Sequence, residues 1–304
     1  MKTISLLLLS FLLAAAPAAA IPSTGTSPTA PTPPVIHAHP ALWHVHGRLG
    51  DVYLFGAIHA LPPTLQWHTP AIDKAIARAD VFVFETSNEA EALQRAQTLV
   101  ASRGLLPRGE SLRAMLPPAA QADYDADIAS VGLIPEWMDN KRPWLAALIL
   151  TVTQMRQDNY DAEAGVDRAV MAIARTARKP MRYFETMDQQ FALLAPDDDK
   201  LELSGIETDL HDVRERHAEI GPLVAAWSAG DPAAINKLMN AELGNHPDAK
   251  KALLDDRNKR WALQIETMLL EKRTFFITVG AGHLAGSVGV RALLRKAGYR
   301  VDGP

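Results

Sequence analysis

Two stretches of the chain share one grammar. VYLFGAIH at 52–59 and TFFITVGAGH at 274–283 each carry an apolar, β-branched and aromatic run into a glycine and place a histidine three residues later. The glycines are Gly56 and Gly280, and the histidines are His59 and His283. Two further apolar runs, VFVFE and MRYFE, end in Glu85 and Glu185. Ligands collect beyond the carboxyl ends of strands in open α/β sheets. A glycine there lets the chain turn sharply and brings backbone close to whatever is bound. Histidine with carboxylate is the usual donor set, without thiolate, for Zn, Mn, Co or Fe. The four side chains read either as one shared metal site or as separate structural residues.

A third feature is an arginine on an apolar face. In the helix that follows LLDD, the residues Leu254, Trp261, Ile265 and Met268 share one side. At about 100° per residue, Arg257 and Asn258 fall inside that arc. A charge there is either paired with a carboxylate, a carbonyl or a substrate, or it snorkels to solvent from the edge of the stripe. Other residues carry less. His44 and His46 alternate in a strand, share one face, and read as solvated. His37 and His39 stand in a linker and could take up metal adventitiously. Ser87 lacks the G-x-S-x-G elbow of a hydrolase nucleophile. GAGHLAG resembles a dinucleotide fingerprint, but its G-x-G-x-x-x-G spacing has one residue too many and His283 fills the phosphate turn.

Elements must position these groups. LWHVH and DVYLFGA flank a turn at 47–51 and predict a β-hairpin. HTPAIDKAIARAD predicts a helix capped by Thr69 with Pro70 at its first position, burying Ile72, Ala75, Ile76 and Ala79. VFVF is a short buried strand and PMRYF another short strand. Between them, 90–160 reads as mostly helical, and EAGVDRAVMAIARTARK as an amphipathic helix with Val166, Val170, Ile173, Ala174 and Ala177 in register. Residues 187–271 are helical again, with DDDK at 197–200 as an exposed turn. Strand TFFITV, helix SVGVRALLRKA with Gly298 as its cap, and strand YRV close the chain. The fold class is α/β with α+β character. A central mixed sheet is built from both chain ends, helices pack on it, and a helical insertion fills the middle.

Composition sets limits. The chain has no cysteine, which excludes disulfides, thiolate metal sites and cysteine nucleophiles. The formal net charge is −4, both signs are dispersed, and no basic block suits nucleic acid. Residues 1–20, MKTISLLLLSFLLAAAPAAA, have the basic start, apolar core and small-x-small sites of a cleaved signal peptide. They predict a periplasmic or secreted protein with no integral membrane segment after cleavage. Residues 21–40 form a Pro/Thr/Ser-rich linker, and 41–304 a single domain. The longest later apolar run, 144–152, is a core helix too short to span a bilayer.

Taken together, LWHVHGRLGDVYLFGAIHALP, ADVFVFETS, GVDRAVMAIARTARKPMRYFETMDQQ, AAWSAGD, RNKRW and FITVGAGHLAGSVGVRALLRKAGY resemble the TraB/PrgY/GumN family. That family includes the Tiki ectodomains and is distantly similar to erythromycin esterases and haem-binding ChaN proteins. The resemblance runs from about residue 42 to 301. It implies a metal-dependent hydrolase, with proteolysis attributed to the Tiki branch. Carried over by position, the family's Gly-x-x-His motifs fall on Gly56/His59 and Gly280/His283, its strand-end acid on Glu85, and the arginine of its R-N pair on Arg257. The first motif reads GAIH where the family often has GTIH. On this reading His59, Glu85 and His283 hold a divalent cation (Mn, Co or Zn) beside an open position for water. Glu185 serves as base or supporting acceptor, and Arg257 holds a substrate carboxylate or the developing oxyanion. The substrate is a peptide or another small molecule. Two other functions fit the same residues. One is a metal-free His/Glu esterase; the other is a non-catalytic periplasmic binding or accessory protein in peptide signalling or polysaccharide export. The residues assign no role to Asp167.

Overall fold

The computed structural model describes residues 35–195, 217–244 and 246–304. The expected signal peptide, most of the linker and the turn at 197–200 therefore lie outside the described residues. Eight strands occur among them: β1 Ile36–His37, β2 Leu42–His46, β3 Asp51–Ala57, β4 Leu65–Gln66, β5 Val81–Phe84, β6 Met181–Tyr183, β7 Thr274–Gly280 and β8 Arg300–Asp302. Six form one mixed sheet in the order β6-β5-β7-β3-β2-β8. β6, β5, β7 and β3 run parallel, while β2 is antiparallel to both β3 and β8. The centre of the sheet thus pairs a strand from one end of the chain with a strand from the other, as expected.

Helix α1, Pro70–Arg78, links β3 to β5. Thr69 accepts a hydrogen bond from the Ile72 N–H at its start, and Pro70 takes the first position. Between β5 and β6 come α2 Ala90–Arg103, α3 Leu112–Met115, α4 Pro118–Ser130, α5 Pro135–Met138, α6 Pro143–Gln157 and α7 Val166–Thr176. Between β6 and β7 come α8 Met187–Leu194, α9 His217–Ser228, α10 Pro232–Leu243, α11 Pro247–Lys250 and α12 Asp256–Met268. The short α13, Ala281–Leu284, and α14, Val290–Lys296, follow β7. Gly298 closes α14 in a left-handed conformation, φ 93°. No helix among the described residues is long and apolar enough to cross a membrane.

The period-2 alternation of side chains divides the core into two layers. Phe55, Phe82, Phe84 and Phe276 face α1, α7, α9 and α10, where Ile72, Val170, Trp227 and Ile235 are buried. Leu54, Val83, Phe275 and Ile277 face α12 and α14, meeting Trp261, Ile265 and Leu294. Strands covered on both faces need unbroken apolar runs, which is why VFVF carries no polar residue. The insertion builds cores of its own around Leu99, Leu145 and Phe191 and around Tyr124, Ile128 and Met138.

Two details differ from expectation. Regular structure starts before Leu42, since β1 pairs in parallel with β4 and the Ala38 N–H reaches Gln66 O at 2.7 Å. The chain also does not turn at Gly56. β3 continues through it to Ala57, and β7 likewise includes Gly280. At Gly56 the missing side chain serves close packing, because a Cβ would lie 3.0 Å from Ala281 Cα.

Candidate active site

Four strand ends converge at the carboxyl edge. The β5–β6 ladder runs past both strands, with Phe184 N–H donating to Phe84 O at 3.0 Å and Glu185 N–H to Glu85 O at 2.9 Å. That register sets two buried carboxylates side by side. Such a pair needs positive charge, and α12 delivers it, because Arg257 is 1% exposed. The snorkelling alternative for Arg257 is excluded.

Every N–H of this guanidinium is committed. Nε donates to both oxygens of Glu185 at 3.0 and 3.1 Å. Nη2 donates to Glu85 Oε2 at 2.7 Å and Glu185 Oε2 at 2.9 Å. Nη1 donates to Leu253 O at 3.1 Å and meets His283 Nε2 at 3.1 Å. Arginine has five N–H donors and no acceptor. In this arrangement all five are taken up within the protein, and Arg257 holds Glu85, Glu185 and His283 in place. Glu185 is held by the same fork, by Gln190 Nε2 at 3.1 Å, and from the solvent side by Arg260 at 3.4 Å. In this arrangement it accepts hydrogen bonds that support the network.

His283 sits on α13. Its Nδ1 meets Asn258 Oδ1 at 2.7 Å, and its ring packs 4.4 Å from the Trp261 ring. Asn258 offers an oxygen there, so Nδ1 carries the proton and Nε2 presents its lone pair. Burial and the adjacent Arg257 charge hold the pKa of His283 down, to about 3. Glu85 is the opposite case. Burial works against its charge, but Arg257, the two histidines and the Gly280 N–H outweigh it and lower its pKa to about 2. That N–H donates to Glu85 Oε1 at 2.7 Å.

His59 follows β3. Its Nδ1 lies 3.1 Å from Asp167 Oδ1, in the first turn of α7. The loop is seated on the start of that helix, since Val166 N–H donates to Ile58 O at 3.0 Å and a Cβ on Gly165 would lie 2.3 Å from His59 O. Burial opposes protonation of His59, but the charge and hydrogen bond of Asp167, with Glu85 behind, raise its pKa. Asp167 and Gln190 are therefore functional neighbours that sequence reasoning left without roles; the only sequence signal was their place in GVDRAV and MDQQ.

The crevice fits a cation in its donor chemistry. A Cβ on Gly280 would lie 3.3 Å from Glu85 Oε1, 3.4 Å from His59 Nε2 and 3.5 Å from His283 Cδ2. The bare Cα leaves a hollow lined by one imidazole nitrogen, one carboxylate oxygen and the Cδ2 edge of the His283 ring. Each ring has its other nitrogen fixed by a second side chain, as metal-binding histidines do. His283 Nε2 and Glu85 Oε1 are 3.9 Å apart, and Arg257 Nη1 must release the His283 lone pair before it can bind metal. Gly280→Ala is expected to fill this hollow. Turnover should fall by about 100-fold while the unfolding midpoint moves little; an equal loss of fold and turnover would mean that the glycine serves packing alone.

Comparison with known proteins places the chain in a family. Residues 41–303 match the model of the TraB/PrgY/gumN family. The chain belongs to this family. The relatives are distant. Metalloprotease TIKI1 of Danio rerio is 24% identical over 317 residues, covering 86% of this chain and 62% of the relative. Metalloprotease TIKI2 of Danio rerio is 23% identical over 306 residues, covering 82% of this chain and 58% of its own length. The uncharacterized protein YbaP of Escherichia coli K12 is 22% identical over 245 residues, covering 80% and 87%. The chain thus spans less than two thirds of either TIKI relative, and whatever activity and partners the longer proteins have come to this family member only as proposals.

Proposed function

We propose that this TraB/PrgY/gumN member is a metal-dependent hydrolase of peptide or amide bonds, working at the crevice between His59, Glu85 and His283. The observation that carries the reading is the hollow at Gly280, which His59 Nε2, Glu85 Oε1 and the edge of the His283 ring line together. The metalloprotease relatives support it, and the leader-like residues 1–20 support a site of action in the periplasm or outside the cell. A divalent cation, Mn, Co or Zn, supplies a polarised carbonyl and a water of lowered pKa when bound.

The side chains do the rest. Glu85 is ionised at any physiological pH, and His283 is neutral with its Nε2 lone pair presented. Asp167 orients His59 so that Nε2 points at the same hollow. Arg257 holds the two carboxylates apart from bulk water without touching substrate. Beside His59 an apolar pocket is walled by Ile58, Met155, Ile220, Leu223 and Met239, with Gly280 and Gly282 on its rim. It has the chemistry to seat an apolar side chain next to the scissile bond.

A second reading has its own observation. His59 with Asp167 on Nδ1 is the geometry of a general base held by a carboxylate, and it needs no metal. Hydrolysis of a mixed peptide library, followed by mass spectrometry with and without chelator, separates the two. The metal reading expects cleavage that stops on chelation and returns with Zn, Co or Mn. Full-rate cleavage by chelated protein transfers the role to the His59–Asp167 pair.

A further inference from the structure

A second group of metal donors stands at the opposite edge of the sheet. β3 has 7 residues, so at ~3.3 Å each its start lies roughly 20 Å from the crevice. There Asp51, the first residue of β3, faces His46 across the hairpin, and His44 faces Asp302 of β8. Ligand atoms of His44, His46 and Asp51 all lie within 4.8 Å of one another. More specifically, His44 Nε2 is 3.2 Å and His46 Nδ1 is 3.7 Å from the same oxygen, Asp51 Oδ1. With metal–nitrogen and metal–oxygen bonds near ~2.0–2.2 Å, neighbouring ligands on a tetrahedral ion are about that far apart.

The hydrogen bonding shows what is missing. His46 Nε2 meets Asp302 Oδ2 at 2.8 Å, and Arg300 grips the same carboxylate at 2.9 and 2.8 Å. A carboxylate accepts, so Nε2 carries the proton and the Nδ1 lone pair is turned toward Asp51. His44 Nε2 is shielded from solvent and faces Asp51 Oδ1 at 3.2 Å, while its ring stacks on Tyr53 at 4.5 Å. Two ring nitrogens thus converge on one carboxylate oxygen. A histidine whose outer nitrogen donates to a carboxylate is the usual support of a metal ligand.

We propose that His44, His46 and Asp51 form a second, zinc-type divalent-cation site, supported by Asp302 through His46. Imidazole–carboxylate sets suit Zn, Cu and Ni over Mg or Ca. The side chains are about a quarter to a half exposed, so solvent water completes the shell. A bound ion ties β2 to β3 and, through Asp302, to β8, clamping the edge where the two chain ends meet.

The test uses untagged, chelator-stripped protein titrated with Zn²⁺ alone, counting equivalents by calorimetry and following the unfolding midpoint. The wild type is expected to take up one equivalent more than the double variant His44→Gln/His46→Gln, and its midpoint should rise with Zn²⁺ where the variant's does not. Asp302→Asn should keep the equivalent but weaken it by about 10- to 100-fold. Glu85→Gln, in the crevice, should keep it unweakened. The proposal is overturned if the His44/His46 variant binds as many equivalents as the wild type with the same affinity. It is equally overturned if His37→Gln/His39→Gln abolishes the equivalent instead, because uptake would then belong to the neighbouring segment. Peptide cleavage should be unchanged in the His44/His46 variant, so this result stands apart from the crevice reading.

Discussion

Glu85→Gln is expected to cost the protein its turnover, its crevice metal and a large share of its stability together. Both oxygens of Glu85 accept from fixed donors: Oε1 from the Gly280 N–H, Oε2 from Arg257 and Gln190. Whichever way a glutamine amide is turned, its NH2 group faces one of those donors. One buried hydrogen bond is lost outright, and Arg257 loses one of its two counter-charges. Breaking a buried ion pair from one side costs about 3–5 kcal/mol. Linkage gives a similar figure. The folded pKa of about 2 lies below the ordinary 4.5, a difference equivalent to ~3 kcal/mol.

The sign follows from that depression. The stabilisation is complete above the ordinary carboxylate range and is lost as pH falls from about 4.5 toward 2. Denaturant unfolding of chelated protein between pH 7 and 3 should therefore show the wild type losing its advantage over Glu85→Gln as the acid deepens. Near neutral pH the variant's unfolding midpoint should lie roughly 6–12 °C lower. Turnover should fall by at least ~100-fold. A variant with wild-type stability would show that the network does not hold Glu85; one that loses stability but keeps turnover would remove Glu85 from the chemistry.

The sheet was legible because burial writes itself into composition. VFVF carries no polar residue because both of its faces are covered, and Glu85 stands out because such a run precedes it. Arg257 was legible as an anomaly of period, a charge inside the apolar arc of α12. What the period cannot show is the number of partners waiting there. Five committed donors are a property of four segments brought together. Asp167 escaped for a similar reason: it lies 108 residues from His59 on a half-buried face where an acid in the first helical turn is ordinary. Gly56 misled because glycine marks a sharp turn and a close approach equally well, and here only the second operates. The pairing of His46 with Asp302 depends on β8 returning beside β2, a topology that local patterning does not specify.

Arg257→Lys should separate metal binding from turnover. The ammonium keeps the charge that Glu85 and Glu185 require, but three donors on a point charge cannot reproduce a planar fork that serves two carboxylates, a carbonyl and an imidazole. Losing two or more charge-assisted bonds should lower stability by about 2–4 kcal/mol. With the planar fork gone, turnover should fall by about 10- to 100-fold. Zinc or cobalt affinity at the crevice should hold or rise, because Nη1 no longer occupies the His283 lone pair. Isothermal titration and steady-state kinetics on the same preparation read both quantities. If affinity falls in step with turnover, Arg257 builds the metal site instead of competing for it. If KM rises with the catalytic constant unchanged, the guanidinium contacts substrate and its five bonds must rearrange on binding. Arg257 satisfies the buried His283 lone pair and holds Glu85 and Glu185 in register; a cation in the crevice would be held by His59, Glu85 and His283, with the arginine still gripping the two carboxylates.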